Sequence, residues 1–397
     1  MREILKRKQN ETLEQYQIRL SLGLLNRELG YEDLTWKEIK DMLSSDMHPD
    51  TLRRLGYGFK LYESNFPKVL RAEEELDELD EKIVEMKKEK VKLTDVRTSV
   101  NRKIRELGRV ENIIEEIAKN LDELNENNPL INKEIVPVIN NSRQGLLLCS
   151  DWHCGAEFKT VANSFNLDIL VNRVNEMVDR TIEICKRNNI EKIHIGYIGD
   201  LCNGLIHTTT RIENQIGVAE QVTLISELIS QMLDKLSKNF SVVSMSMTSS
   251  NHERFFMDKK ENSYGDSYHR FIFEIVKLRT RDLINVAILE NTKDESFTTL
   301  DLCGERIVLS HGDKDKKANV PSRYSQILGY TPTLVCMGHY HNEYSTTEGL
   351  SRIIINGSLM GSNQYAVDLR LCSTPSQSLI IMSEKYGYES THIISFK

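Results

Sequence analysis

The chain has 397 residues, room for roughly two to three domains at about 150 residues each. Its 39% hydrophobic and 28% charged content, with 7 prolines and 20 glycines, excludes a collagenous or long disordered architecture. No apolar run approaches the roughly 18 residues of a membrane helix, and the opening MREILKRKQNETLEQ has no apolar core of a secretory signal, so a cytoplasmic protein away from the membrane is expected. The formal net charge of −7 argues against binding nucleic acid over the whole surface but allows a locally basic groove. The seven cysteines are scattered without a C-x-x-C pair, which predicts reduced thiols and not a disulfide framework or zinc ribbon.

Residues 1–68 have a helical pattern. Thr35-Trp36-Lys37-Glu38 spells a capping box opening a helix to about Met42, and Ser44-Ser45-Asp46 ends it. Pro49 and Asp50 start another helix carrying Arg53, Arg54 and Lys60. Two short helices around a polar turn, the second basic, outline a helix-turn-helix; a small bundle that only packs is the alternative. The segment is similar to small helix-turn-helix modules of phage proteins.

Residues 69–126 predict a coiled coil. Leu76, Leu79, Ile83, Met86, Leu93, Val100, Ile104 and Leu107 fall on alternating three- and four-residue steps, with Lys90 and Arg97 at intervening seam positions. So narrow a stripe needs another helix to cover it, from a second chain or by folding back, and a homodimer is the expectation. Past Leu107 the register shifts: Val110, Ile114, Ile117, Leu121 and Leu124 continue out of phase beside Gly108, which predicts a stammer or bend. Residues 127–144, with Pro129 and Pro137, form a polar linker.

From 145 to 397 apolar runs alternate with amphipathic helices. Candidate strands are 145–149, 192–198, 241–247, 286–290, 306–310, 334–337 and 352–355, and candidate helices are 167–187, 214–238 and 267–278. This alternation predicts an α/β sandwich with largely buried sheets. Residues 359–397 are expected to add edge strands or a small cap.

Polar residues follow five of these strands: Asp151-Trp152-His153, Gly199-Asp200, Asn251-His252-Glu253, His311-Gly312-Asp313 and Gly338-His339-Tyr340-His341. Ligands collect at the carboxyl ends of strands in open α/β sheets, so these loops can share one crevice. Carboxylate, imidazole and amide oxygen without cysteine suit two divalent ions such as manganese, iron or zinc, not a structural zinc. In D-x-H and H-x-H, alternate residues on an extended loop point to one side and reach the same ion.

In that order, these motifs resemble the calcineurin-like metallophosphoesterase superfamily, over roughly residues 145–358. The resemblance implies a four-layer αββα sandwich with two divalent ions, manganese first and iron, zinc or magnesium as alternatives. It implies that Asp151, His153 and His341 hold one ion, that Asn251, His311 and His339 hold the other, and that Asp200 bridges both. His252 would stabilise the transition state or protonate the leaving group, with Glu253 orienting it. The reaction implied is attack on phosphorus by a hydroxide held between the metals.

The substrate class rests on finer features. Protein phosphatases of the superfamily extend the second motif to G-D-x-x-D-R-G; here Gly199-Asp200-Leu201-Cys202-Asn203-Gly204 lacks that Asp and Arg. The G-D-L opening and N-H-E followed by Arg254 look closer to the SbcD-type DNA repair nucleases, which place a histidine where this chain has Asn203, so Asn203 is a candidate to support the ligands or meet the substrate. Lys314 and Lys316 after His311, and Arg211 and Arg254 near the other motifs, are candidate phosphate contacts. The expectation is therefore a metal-dependent nuclease with DNA as partner and, by the same resemblance, an ATPase partner. A phosphatase or cyclic-nucleotide phosphodiesterase, and a metal-binding scaffold, are the alternatives.

Overall fold

A computed structural model describes residues 3–65, 73–128, 130, 142–262, 265–291 and 294–397. The chain is mixed α/β and divides into two units, Met1–Lys103 and Ile104–Lys397. Among the described residues no helix is long and apolar enough to cross a membrane.

In the first unit, helices α1 (Leu13–Leu25), α2 (Trp36–Leu43) and α3 (Pro49–Asn65) close around Leu20, Tyr31, Ile39, Leu43 and Leu52. Thr12 and Thr35 each accept from the backbone N–H three residues on, while Gln15 and Glu38 reach back to the cap, so both α1 and α2 start at full capping boxes. Gly56 lets α3 lie against α2: a Cβ there would come within 2.4 Å of the Trp36 ring. Of the basic residues on α3, Lys60 donates to the carbonyl of Leu25 at 2.7 Å, satisfying the end of α1, and Arg53 pairs with Asp50 at 3.2 Å. Arg54 is exposed.

Helix α4 runs Glu73–Asn127, unbroken at Gly108. Within the first unit Ile83, Met86, Leu93 and Val100 are exposed. Beyond the register shift the stripe serves a different purpose, because Ile117 is buried in the core of the second unit with Ile113 and Leu121 packed against it. The expected linker lies, at 129 and 131–141, outside the described residues.

The second unit contains β1 (Arg143–Cys149), β2 (Phe158–Lys159), β3 (Ser164–Phe165), α5 (Leu167–Arg187), β4 (Lys192–Tyr197), α6 (Thr208–Glu213), α7 (Val218–Ser237), β5 (Val242–Met247), α8 (Tyr268–Arg279) and β6 (Val286–Ile288). There follow β7 (Phe297–Leu302), β8 (Glu305–Ser310), α9 (Val320–Leu328), β9 (Leu334–Met337), β10 (Tyr344–Glu348), β11 (Ser351–Ile355), α10 (Gln364–Asp368), β12 (Ser376–Ser383) and β13 (Gly387–Ser395). One sheet has the order β13-β12-β1-β4-β5-β6 and the other β10-β11-β9-β8-β7. Strands β1, β4, β5 and β6 are parallel, as are β8, β9 and β11.

The two-residue period of each strand sorts its side chains into separate cores. Leu146 and Leu148 of β1 share a buried cluster with Ile307 and Leu309 of β8, Leu334 and Cys336 of β9, and Ile380 and Met382 of β12. Leu147 and Cys149 turn the other way, to Val174 and Met177 of α5, Ile229 of α7 and Ile272 of α8. On the second sheet Val308, Val335 and Ile353 face Val320 and Tyr324 of α9. Every residue of β12 is buried, so this strand sits inside its sheet, between β13 and β1, and of the two strands after residue 359 β13 alone lies at an edge.

Candidate metal centre

Five strand ends deliver the polar residues to one place. Strands β1, β4 and β5 are neighbours in the first sheet, β8 and β9 in the second, and their carboxyl-terminal loops are tied together. The backbone N–H of Asp151 donates to the Gly199 carbonyl at 3.1 Å, and those of Trp152 and His153 donate to the Asp200 carbonyl at 2.9 Å. The N–H of His339 donates to Oδ1 of Asp151 at 3.1 Å, which joins the two sheets directly at the centre. Ser250 Oγ accepts from the Asp200 N–H at 2.9 Å, and Asp200 Oδ1 accepts from the His252 N–H at 3.2 Å. Gly204 makes room for the β5 loop: it has φ +66°, and a Cβ there would strike the His252 carbonyl oxygen at 2.1 Å.

All seven expected ligands are brought together. Ligand atoms of Asp151, His153, Asp200 and His341 lie within 4.8 Å of one another, and so do those of Asp200, His311 and His339; Asp200 belongs to both groups. Asn251 joins the second group through Oδ1, 3.0 Å from Nε2 of His311. Asp151, His153, Asp200, His339 and His341 have positive φ, between 46° and 68°, five of the eleven such non-glycine residues among those described. Left-handed backbone costs an ordinary residue about 1–3 kcal/mol, so its concentration at five of seven positions marks a place where side-chain aim outweighs local stability.

The donor set fits divalent cations. His311 Nδ1 faces the Ile198 carbonyl at 2.9 Å, and a carbonyl only accepts, so in the neutral ring that a cation would require, Nε2 points a lone pair into the centre. Around that Nε2 stand Oδ2 of Asp200 at 3.2 Å, Oδ1 of Asn251 at 3.0 Å and Nδ1 of His339 at 3.2 Å. Across the centre Nε2 of His153 and Nε2 of His341 face each other at 3.3 Å, with Oδ1 of Asp151 3.2 Å from the latter. A proton between two such nitrogens satisfies one pair, whereas a cation satisfies the whole ring of lone pairs. Nitrogen and oxygen donors without thiolate suit manganese, iron, zinc or magnesium, and burial pushes the nearby Cys154 and Cys202 thiols far up.

Electrostatics follow from burying these groups together. Burial alone would raise the carboxyl of Asp200, but the imidazoles of His311, His252 and His153 outweigh it and hold it well below the usual range. Asp151 is lowered against the same penalty, chiefly by His341. Burial pushes His153 down to about 3, helped by His252. In His311 burial is outweighed by Asp200, which lifts the ring to about 10. Glu253 is pushed up to about 7, first by burial and then by Asp200.

The other expected residues divide into those at the centre and those beside it. The His252 ring stands edge-on to that of His153, centroids 4.7 Å apart, and its Nδ1 donates to the Asn203 carbonyl at 2.9 Å. Glu253 does not contact His252 in any bond of its carboxylate; Oε1 accepts from the Leu201 N–H at 3.0 Å and braces the loop that carries Asp200. Arg254 donates through Nε to the Asn251 carbonyl at 3.0 Å, and its buried Nη1 has no partner among the described residues. With Lys314, Lys259, Asp313 and Ser250 it lines a polar cavity of about 280 Å³ next to the centre. Lys316 is exposed. Tyr340 fills space: its hydroxyl donates to the Asp315 carbonyl at 2.8 Å and the Lys317 ammonium covers its ring at 4.3 Å.

Three contributors carry no sequence signal of their own. The Ile198 carbonyl acts through backbone; Ser250 and Asn214 are polar loop residues of a kind found throughout the chain. His207, whose ring centroid lies 5.5 Å from that of His252, is a further exposed imidazole at this edge.

No protein-family model matches the chain. It is 23% identical over 403 residues, 96% of each chain, to the SPbeta prophage-derived uncharacterized protein YonJ of Bacillus subtilis (strain 168). Among solved structures it is similar to a novel archaeal phosphodiesterase, at 12% identity over 64% of this chain and 99% of that one, with TM-score 0.34. It is also similar to Vps29 of Entamoeba histolytica complexed with zinc, at 14% identity over 64% of this chain and 99% of that one, with TM-score 0.30. A predicted phosphoesterase of Streptococcus pneumoniae TIGR4 shows 12% identity over 64% and 98% of the two chains, with TM-score 0.28.

Proposed function

We propose that the chain is a divalent-metal-dependent phosphodiester hydrolase acting on DNA, built on a four-layer αββα metallophosphoesterase scaffold. The single observation that carries this reading is that Asp200 belongs to both ligand groups, so two cation sites share one carboxylate. Asp151, His153 and His341 would complete one site, and Asn251, His311 and His339 the other. The three buried clusters that separate helices from sheet, sheet from sheet and sheet from helix support the scaffold.

Divalent ions held by these residues would supply Lewis acidity toward phosphoryl oxygens and toward water. The chain's own part is positional and protonic. His252 keeps Nδ1–H on the Asn203 carbonyl, which leaves Nε2 to hold or hand over a proton at the leaving oxygen. Glu253 keeps the Asp200 loop in place, and Nη1 of Arg254, without a partner among the described residues, is available to a substrate phosphate, with Lys314 lining the same cavity; the exposed Lys316 would add charge nearby in sequence. An exposed seam on α4 supports a homodimer, and similarity to a prophage-derived protein accords with a phage-borne DNA enzyme.

A second reading, a phosphatase or cyclic-nucleotide phosphodiesterase, is favoured by one feature: Asp266, Asp294, Glu295 and Asp313 also line the cavity, and so many carboxylates repel a polyanion. A hydrolysis screen with added Mn2+ separates the two. The proposal expects cleavage of end-labelled DNA and bis(p-nitrophenyl) phosphate, with His252→Ala slower by about 10²–10⁴-fold. Turnover of p-nitrophenyl phosphate or cyclic nucleotides with intact DNA would establish the second reading instead.

A further inference from the structure

We propose that Asn203 is the positioning residue that sets which nitrogen of His153 faces the metal centre, and that it does so through an amide relay with Asn214. This inference rests on the two-ion reading above.

Asn203 is buried on the loop that follows β4, and every polar atom it has is engaged. Its Nδ2 donates to Oδ1 of Asn214 at 2.8 Å and to the Thr210 carbonyl at 3.4 Å. The carbonyl of Thr210 accepts and never donates, so the amide cannot be turned over without setting oxygen against oxygen. Asn214 is itself oriented, since its Nδ2 donates to the Gly204 carbonyl at 2.9 Å. The oxygen of Asn203 therefore faces Nδ1 of His153, 3.3 Å away. An amide oxygen only accepts, so the proton of the neutral imidazole sits on Nδ1. The lone pair on Nε2 is thereby directed at His341 Nε2, 3.3 Å away, and toward Asp200 Oδ2 at 3.7 Å.

The same residue fixes a second imidazole by a different atom, its backbone oxygen accepting from Nδ1 of His252 at 2.9 Å. The other metal-facing ring so oriented, His311, is set by the carbonyl of Ile198 and owes nothing to Asn203. The proposal therefore predicts an asymmetry: loss of the Asn203 oxygen weakens the site of Asp151, His153 and His341 and spares the site of Asn251, His311 and His339.

Calorimetric titration of the metal-stripped full-length chain with Mn2+ reads this directly. Wild type is expected to bind two ions. Asn203→Leu should weaken one of them by roughly 10–100-fold, the usual effect of removing a partner that orients a ligating histidine. Asn203→Asp, which keeps an acceptor toward His153, should recover most of that loss. Asn214→Ala, which removes the shorter of the two contacts that hold the amide and leaves only the 3.4 Å one to the Thr210 carbonyl, should weaken the same site by a smaller factor. Nitrogen-15 spectra of the histidine rings without metal give an independent readout: His153 should be the Nδ1–H tautomer in wild type and lose that signature in Asn203→Leu. Two ions bound as in wild type by Asn203→Leu, or equal weakening of both sites, overturns the proposal. Should that variant not fold, Asn214→Ala with wild-type affinities and an unchanged His153 spectrum overturns it equally. A wild-type chain that binds no divalent ion would instead defeat the two-ion reading on which it stands.

Discussion

His194 illustrates what burial does to an imidazole in this fold. It lies within β4, away from the centre, with Nδ1 2.8 Å from the hydroxyl of Ser244 and Nε2 2.9 Å from that of Ser246. Burial pushes its pKa down to about 3, and that of His269 on α8 to about 4. A folded value below the ordinary one of about 6.5 means that the unfolded chain takes up the proton first as pH falls. The stability such a group protects is fully present above about pH 6.5 and is lost as pH falls toward 3, by up to about 1.4 kcal/mol per pH unit for each proton. Urea unfolding in a chelating buffer at pH 7 and pH 5 should show His194→Gln losing less stability between the two than wild type, by about one proton. Equal losses would contradict the buried neutral state. At this scale the convergence of the candidate ligands was legible because each polar residue follows an apolar run. The orienting contacts were not: the carbonyls that hold His252 and His311 come from Asn203 and Ile198, and a backbone oxygen leaves no mark on residue type.

At the scale of elements, α4 leaves an apolar seam without a partner among the described residues of its own unit. Met86 and Leu93 are 72% and 69% exposed, on a helix where a 3.5-residue stripe has no stability of its own in water. The same helix past Gly108 sends Ile117 into the α/β core, which explains the shift of phase as a change of client surface. The homodimer proposed above predicts that Leu93→Asp with Val100→Asp converts a dimer to a monomer in sedimentation while metal binding persists. A wild-type monomer would remove the proposal. Strands β1, β8 and β9 were legible as short continuous apolar runs, and β4 and β5 as apolar runs interrupted by single polar residues or glycine. Strands β7 and β10 were not, because FTTLDL and YSTTE mix threonine, serine and acidic residues that fit a loop equally well. The central place of β12 was hidden too, since pairing with β1 depends on contacts over 200 residues apart, not on local pattern.

At the scale of the whole molecule, the long separation of the ligands in sequence, from Asp151 to His341, is closed by two sheets meeting at the ends of five strands. Strained backbone at five of those positions indicates that the fold's other contacts hold the centre in shape. The most direct test is the number of divalent ions bound per chain, measured by elemental analysis after equilibrium dialysis against Mn2+. The account predicts two for wild type, and for Asp200→Asn a loss of affinity at both sites with the fold retained by circular dichroism. A wild-type chain with no bound ion, or Asp200→Asn binding two ions as tightly as wild type, would contradict it.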